Sequence, residues 1–133
     1  MNRLTVSVTS FLVATLALGC ASTAEAQIRA FLGERVVSDR AEYDTIRVTD
    51  ERGPFHAIQL RVLKAPVKFK RVIVFFENGT TQRFERNLLV RAGDFTPRID
   101  LAGGNRYIRK VVFYYEARSP GYERALVRLF GIR

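Results

Sequence analysis

The chain has no tryptophan, one cysteine, one histidine and one methionine, its first residue, among 133 residues. Each scarcity excludes a class of chemistry. With Cys20 alone, no internal disulfide can form, so stability has to come from an apolar core. With His56 alone, no multi-histidine metal centre can be built. Beyond residue 26 only Ser38 and Ser119 are serines, and neither stands in a G-x-S-x-G elbow. No internal run is long enough to span a bilayer. After the N-terminal segment no sustained helical periodicity appears.

What is present begins with a leader. Arg3 supplies a basic start, "FLVATLAL" (11–18) an apolar centre, and "AEA" (24–26) the small residues of a cleavage site ahead of Gln27. Residues 1–26 are therefore read as an export signal that is removed, and 27–133 as a single domain, periplasmic or extracellular. A second reading stays open. "ALGC" (17–20) resembles a lipobox, with Ala17 where Leu is preferred. Lipidation would make Cys20 an acylated N-terminus, anchored through more than one chain.

Charge is the next strong feature. The chain carries 22 Lys and Arg against 13 Asp and Glu, a net +9. Losing the leader removes Arg3 and Glu25 and leaves the balance unchanged. The only lysines are Lys64, Lys68, Lys70 and Lys110. The planar fork of arginine suits phosphate and carboxylate, which makes a polyanionic partner one reading. A solvated surface reflecting composition is the other.

Period-two alternation recurs along the chain. "DTIRVTD" (44–50) puts Ile46 and Val48 on one face, and "AIQLRVL" (57–63) does the same with Ile58, Leu60 and Val62. "RALVRLF" (124–130) sets Ala125, Val127 and Leu129 against Arg124 and Arg128. Strands with one polar face suit antiparallel sheets. "ENGT" (77–80) is a hairpin turn, and "ERGP" (51–54), "LAGGN" (101–105) and "RSPGY" (118–122) are further breakers. About eight strands are expected: 28–37, 44–49, 56–64, 67–77, 80–86, 88–92 with 97–101, 106–116 and 123–131. In this reading "AGDFT" (92–96) splits the sixth. The architecture is all-β, an antiparallel two-sheet sandwich, with the jelly roll as one form. "FLGERVV" (31–37) and "VRLFGIR" (127–133) are expected to pair and bring the domain ends together.

Two stretches, "RVIVFFE" (71–77) and "KVVFYYE" (110–116), carry apolar residues on both faces. Strands buried on both sides read this way, so they are expected as central strands whose outer faces a loop or neighbouring element covers. If left open, Phe75, Tyr114 and Tyr115 become candidate contacts.

"LGERVV" (32–37), "IQLRV" (58–62), the "VFFENG" hairpin (74–79), "IDLAGGNRYIRKVVFYYEA" (99–117) and "LFG" (129–131) together resemble a family of small exported bacterial proteins, a domain of unknown function. The resemblance covers nearly all of 27–133 and implies an exported all-β domain. It brings no catalytic residues with it.

Several further chemistries have candidate residues. Asp94, Asp100 and Glu85 are the candidate carboxylates of a hydrolase. Asp39, Glu42 and Asp44 are a loose acidic set without the spacing of a calcium loop. "GG" (103–104) lacks a following helix and reads as a turn. "NGT" (78–80) matches a glycosylation acceptor but serves as hairpin chemistry. His56 reads as structural.

The remaining candidates are basic and aromatic. "RNLLVR" (86–91), "NRYIRK" (105–110) and "YERALVR" (122–128) nominate Arg86, Arg91, Arg106, Arg109, Arg124 and Arg128 for anion binding. Tyr107, Tyr114 and Tyr122 are nominated as aromatic contacts, with Tyr107, Tyr122, Arg106 and Arg124 near one another at strand ends. The expected function is a non-enzymatic envelope binding or accessory module without cofactors. Its partner would be a lipid head group, glycolipid or acidic polysaccharide, with nucleic acid not expected. A structural domain acting on another envelope protein through an edge strand is the alternative, and a hydrolase the third.

Overall fold

The structure, a computed structural model, describes residues 28–38, 42–117 and 124–133. In chain order its strands are β1 (Arg29–Val36), β2 (Tyr43–Arg47), β3 (Pro54–Phe55), β4 (Ala57–Leu63), β5 (Val67–Phe76), β6 (Thr81–Val90), β7 (Ile99–Asp100), β8 (Arg106–Ala117) and β9 (Leu126–Ile132). A 3-10 turn, Asp50–Arg52, lies between β2 and β3.

All ladders are antiparallel. One sheet runs β1-β9-β4-β7 and the other β2-β8-β5-β6, with β3 added beside β8. Setting β3 aside, the order is that of a jelly roll, eight strands shared between two sheets. The alternating apolar residues meet between the sheets. Ile58, Leu60 and Val62 of β4 and Val127 and Leu129 of β9 face Val72 and Val74 of β5 and Val111 and Phe113 of β8 in one buried cluster.

The two apolar stretches are indeed neighbouring central strands. Val72 pairs with Phe113 and Val74 with Val111, and β2 and β6 flank the pair. The expected pairing of the domain ends also holds, with Phe31 opposite Phe130 and Val36 opposite Leu126. Between 74 and 81 the chain turns as its Asn-Gly pair predicts. The Phe76 amide donates to the Thr80 carbonyl at 2.9 Å, and Asn78 Oδ1 accepts from the Thr80 hydroxyl at 2.6 Å.

Three details differ from the sequence reading. The expected strands 80–86 and 88–92 are one strand, β6, whose register slips where Arg86 and Asn87 oppose Lys70. The slip absorbs the break in alternation that the sequence shows there. The turn follows Val90 instead, and residues 93–96 run along β4, with Thr96 bonded to Leu60 through both its amide and its hydroxyl. Pro97 has no amide to continue that ladder, so the expected 97–101 strand shrinks to Ile99–Asp100. Finally, β3 is a strand that the alternation did not announce.

Close approaches account for two glycines. A Cβ on Gly131 would come within 2.5 Å of the Phe55 ring, which is fully buried over it. Gly33, beside the extra residue Leu32 in β1, has φ +155 and would bring a Cβ to 2.8 Å from Ile46 Cγ2.

Tyr115 joins β8 to the start of β2. Its hydroxyl donates to Asp44 Oδ2 at 2.7 Å and accepts from the Ser38 amide at 3.2 Å. Burial, then the Asp44 carboxylate, push its pKa up to about 12.

Candidate functional site

The nominated arginines do not form one patch. Arg86 sits at the irregularity of β6 with its guanidinium 5.4 Å from the Phe84 ring. Arg91 follows β6 and is exposed. Arg106 is committed to the fold: it donates to the Ala102 carbonyl at 2.6 Å and to Thr80 Oγ1 at 3.1 Å, and stacks 3.8 Å from the centre of Phe76. It thereby pins the 77–80 hairpin to the 101–105 turn. Arg109 is exposed on β8. Arg91 and Arg106 stand at opposite ends of β5, about 30 Å apart along the strand.

Arg106 and Arg124 are not neighbours either. Arg106 and Tyr107 pair with β3, whose Phe55 lies against Gly131 at the far end of β9. Arg124 precedes the near end of that strand. Tyr107 is exposed at a shallow hollow with Asn78 and Glu77. Tyr122 and Cys20 lie outside the described residues.

Tyr114 lies on the outer face of the five-stranded sheet. There it packs on Tyr43 at 5.4 Å, with the Arg71 guanidinium 4.9 Å from its ring. Lys110 stands 4.6 Å from the Phe75 ring on the same face. The next row, Val112 and Ile73, retains 7% and 8% exposure. Among the described residues, the cover is therefore provided by side chains of the same sheet, where a loop or another element was expected. The aliphatic stems of Arg and Lys lie on apolar surface while their charges stay in water. Arg71, Arg83 and Glu85 then form ion pairs across the face.

The outer face of the four-stranded sheet is arranged differently. Register sets Phe31 beside Phe130, and Arg61 opposite Arg128. Phe95, placed opposite Arg61 by a bridge from the 93–96 segment, completes a row of three rings. Phe31–Phe130 and Phe130–Phe95 centroids are 5.8 and 5.9 Å apart. Three guanidinium groups surround them: Arg29 at 4.4 Å and Arg61 at 5.3 Å from Phe95, and Arg128 at 6.0 Å from Phe31. Arg128 Nε also donates to Glu34 Oε1 at 2.9 Å.

Phe31 keeps 44% of its surface exposed. A groove of about 520 Å³ opens between Phe31, Gly33, Glu34, Arg128 and Phe130. Like charges directly opposite across an antiparallel pair are destabilising, and Arg61 and Arg128 are such a pair. Glu34 neutralises one of them. Asp94, in the adjoining turn, is exposed. The face thus offers aromatic surface and surplus positive charge together.

Of these residues the sequence reading nominated only Arg128. Phe31, Phe95, Phe130, Arg29 and Arg61 were missed. A signal existed for two of them, because the end-to-end pairing of "FLG" with "LFG" already implies adjacent rings.

The carboxylates are separated. Glu85 belongs to the other sheet. The Asp94 carbonyl accepts from Val62 and Asp100 pairs with Ala57, and the stretch from Ala57 to Val62 spans about 16 Å. A glycosidase pair requires roughly 5–10 Å. Asp100 is bonded to Arg98 at 2.9 Å, and Arg98 also donates to His56 Nδ1 at 3.0 Å. His56 thus bridges turn and strand, accepting from Arg98 at Nδ1. Asp44 is taken up by Tyr115, and Asp39 lies outside the described residues. Among those residues no three His, Cys, Asp or Glu side chains gather as metal ligands, and no helix is long and apolar enough to cross a membrane.

Fold and face together define a jelly-roll sandwich with an arginine- and phenylalanine-lined groove on one outer surface. The chain belongs to the family described as a domain of unknown function (DUF2541), whose model matches residues 11–131. No curated protein and no solved structure matches it.

Proposed function

We propose that this chain is an exported, non-catalytic module of the cell envelope that binds an acidic polysaccharide on the outer face of its four-stranded sheet. The observation that carries the reading is the row Phe31–Phe130–Phe95 with Arg29, Arg61 and Arg128 around it, beside an open groove. Sugar rings present apolar C–H faces to aromatic rings, and their carboxylate or sulfate groups suit the guanidinium fork. An anion seated between Arg61 and Arg128 would also relieve their mutual repulsion. The net charge of +9 favours the approach of any polyanion.

Heparin serves as the probe. Its binding, read by calorimetry or by the salt needed for elution, is expected to weaken steeply from low to physiological salt. The double variant Arg61→Gln, Arg128→Gln is expected to bind roughly tenfold more weakly or worse, since bonds to charged groups contribute about 1.5–3 kcal/mol each. Removing a repelling pair should leave folding intact. Salt-insensitive binding, or equal binding by the double variant, overturns the reading.

A further inference from the structure

A second exposed groove lies on the other sheet, where β4 turns into β5 and β6 ends. It measures about 580 Å³ and is lined by Pro66, Lys68, Leu89, Arg91 and Ala92. Leu89 is its most conspicuous member, 58% exposed in an edge strand. Register places it opposite Lys68, on the outer side of β6, while its neighbour Val90 points into the core. Large apolar side chains grouped at a rim and ringed by charge mark contact surfaces.

The charges around it are cationic and uncommitted. Lys64 is exposed in the β4–β5 turn, Arg91 is exposed after β6, and Lys68 is half-buried between them. Among the described residues, no ion pair or side-chain hydrogen bond engages these three. The nearby acids are Glu116, which is in register with Lys68 and bonded to Lys70 at 3.5 Å, and the exposed Asp94. Among the described residues, Lys64, Lys68, Lys70 and Arg91 thus stand against two carboxylates, Glu116 and Asp94.

We propose that this rim rests on the surface of an anionic phospholipid bilayer. The arrangement matches the layering of such a surface. Lys64, Lys68 and Arg91 lie at the level of the phosphates, and Leu89 with Pro66 and Ala92 dips toward the upper acyl carbons. A soluble polyanion would satisfy the cations and leave Leu89 in water, so the bilayer accounts for both halves of the groove. The site is on the opposite sheet from the phenylalanine row and does not depend on it.

Cosedimentation with vesicles of equimolar phosphatidylglycerol and phosphatidylcholine tests this, with pure phosphatidylcholine vesicles as the reference. Every variant carries the same N-terminal segment, so differences between variants report the rim. Wild-type protein is expected to bind the anionic vesicles and not the neutral ones. The double variant Lys68→Gln, Arg91→Gln should partition roughly fivefold less per cation removed. Leu89→Ser should lose about fivefold with all charges kept. All variants should retain heparin binding. Equal binding to neutral vesicles or undiminished binding by the rim variants overturns the proposal. So does loss of vesicle binding in the Arg61→Gln, Arg128→Gln protein alone. Competition by free glycerol phosphate would show a headgroup pocket instead of a surface contact, and would overturn it as well. If heparin binding fails while the rim variants behave as stated, the polysaccharide reading falls and this one stands.

Discussion

The outer faces of the two sheets use the same materials to opposite ends. Each sets arginine or lysine against aromatic rings. On the five-stranded sheet the result is closure: Ile73 and Val112 are nearly inaccessible beneath their basic neighbours, and Glu85 pairs with Arg71 and Arg83. On the four-stranded sheet the rings are too large and too close to the edge for that cover. Phe31 stays open, a groove forms beside Gly33, and Arg61 faces Arg128, whose carboxylate partner Glu34 lies on the far side in β1. The difference teaches that basic side chains over aromatics become a binding surface only where apolar area and charge are left over. The closed centre of the five-stranded face stabilises the sandwich, and the four-stranded face is the one we propose for the polysaccharide.

Three substitutions test that contrast, the largest effect on stability coming from the closed face. Ile73→Ala removes a side chain that is 8% exposed and is expected to cost about 2 kcal/mol, the low end for such truncations. A lower urea midpoint with unchanged heparin binding is the expected result; a change under about 0.5 kcal/mol, the scale of an ordinary surface substitution, would mean that this face is not closed.

Tyr115→Phe comes next, at about 1.5–2 kcal/mol, the low end for a hydrogen bond to a charged group. This change also carries a pH signature. The hydroxyl pKa is raised in the folded state to about 12 from its ordinary value of 10.0, so burial favours the protonated form. Its contribution is whole below pH 10 and is lost as pH rises from about 10 towards 12, where only the unfolded chain ionises. The stability difference between wild type and Tyr115→Phe should shrink across that window. A difference independent of pH would refute the burial of this hydroxyl.

The smallest effect on stability is expected from Phe31→Ala, at most about 1 kcal/mol because the ring is half exposed. Heparin affinity should nevertheless fall several-fold. A strongly destabilised Phe31→Ala with normal binding would reverse the roles of the two faces.

Much of the fold was legible along the chain. The alternation in 57–63 and 124–130 named the inward residues of β4 and β9. The doubly apolar stretches named β5 and β8 as central, and Asn78-Gly79 named the hairpin. The faults have local causes. At Arg86–Asn87 two residues oppose one, which a strict period of two reads as a strand end, and at 93–96 a strand-like path is held by Thr96 and ended by Pro97. The candidate site was legible only at Arg128. Its other members come from β1, β4, the 93–96 segment and β9, and no spacing along the chain relates Phe95 to Arg29.

Composition and period-two patterning by themselves determined an all-β chain with a disulfide-free core and a surplus of arginine, because strand burial is written into alternate residues. Tertiary structure alone decided which arginines meet rings, which pair with acids and which are left over. The physical reason is that register between strands distant in sequence, with each bulge shifting it by a residue, selects the neighbours of every outward side chain. Arg106 became a structural pin and Arg61, bonded to the Gly93 carbonyl, a cation without an ion pair among the described residues, with nothing in their local sequence to tell them apart.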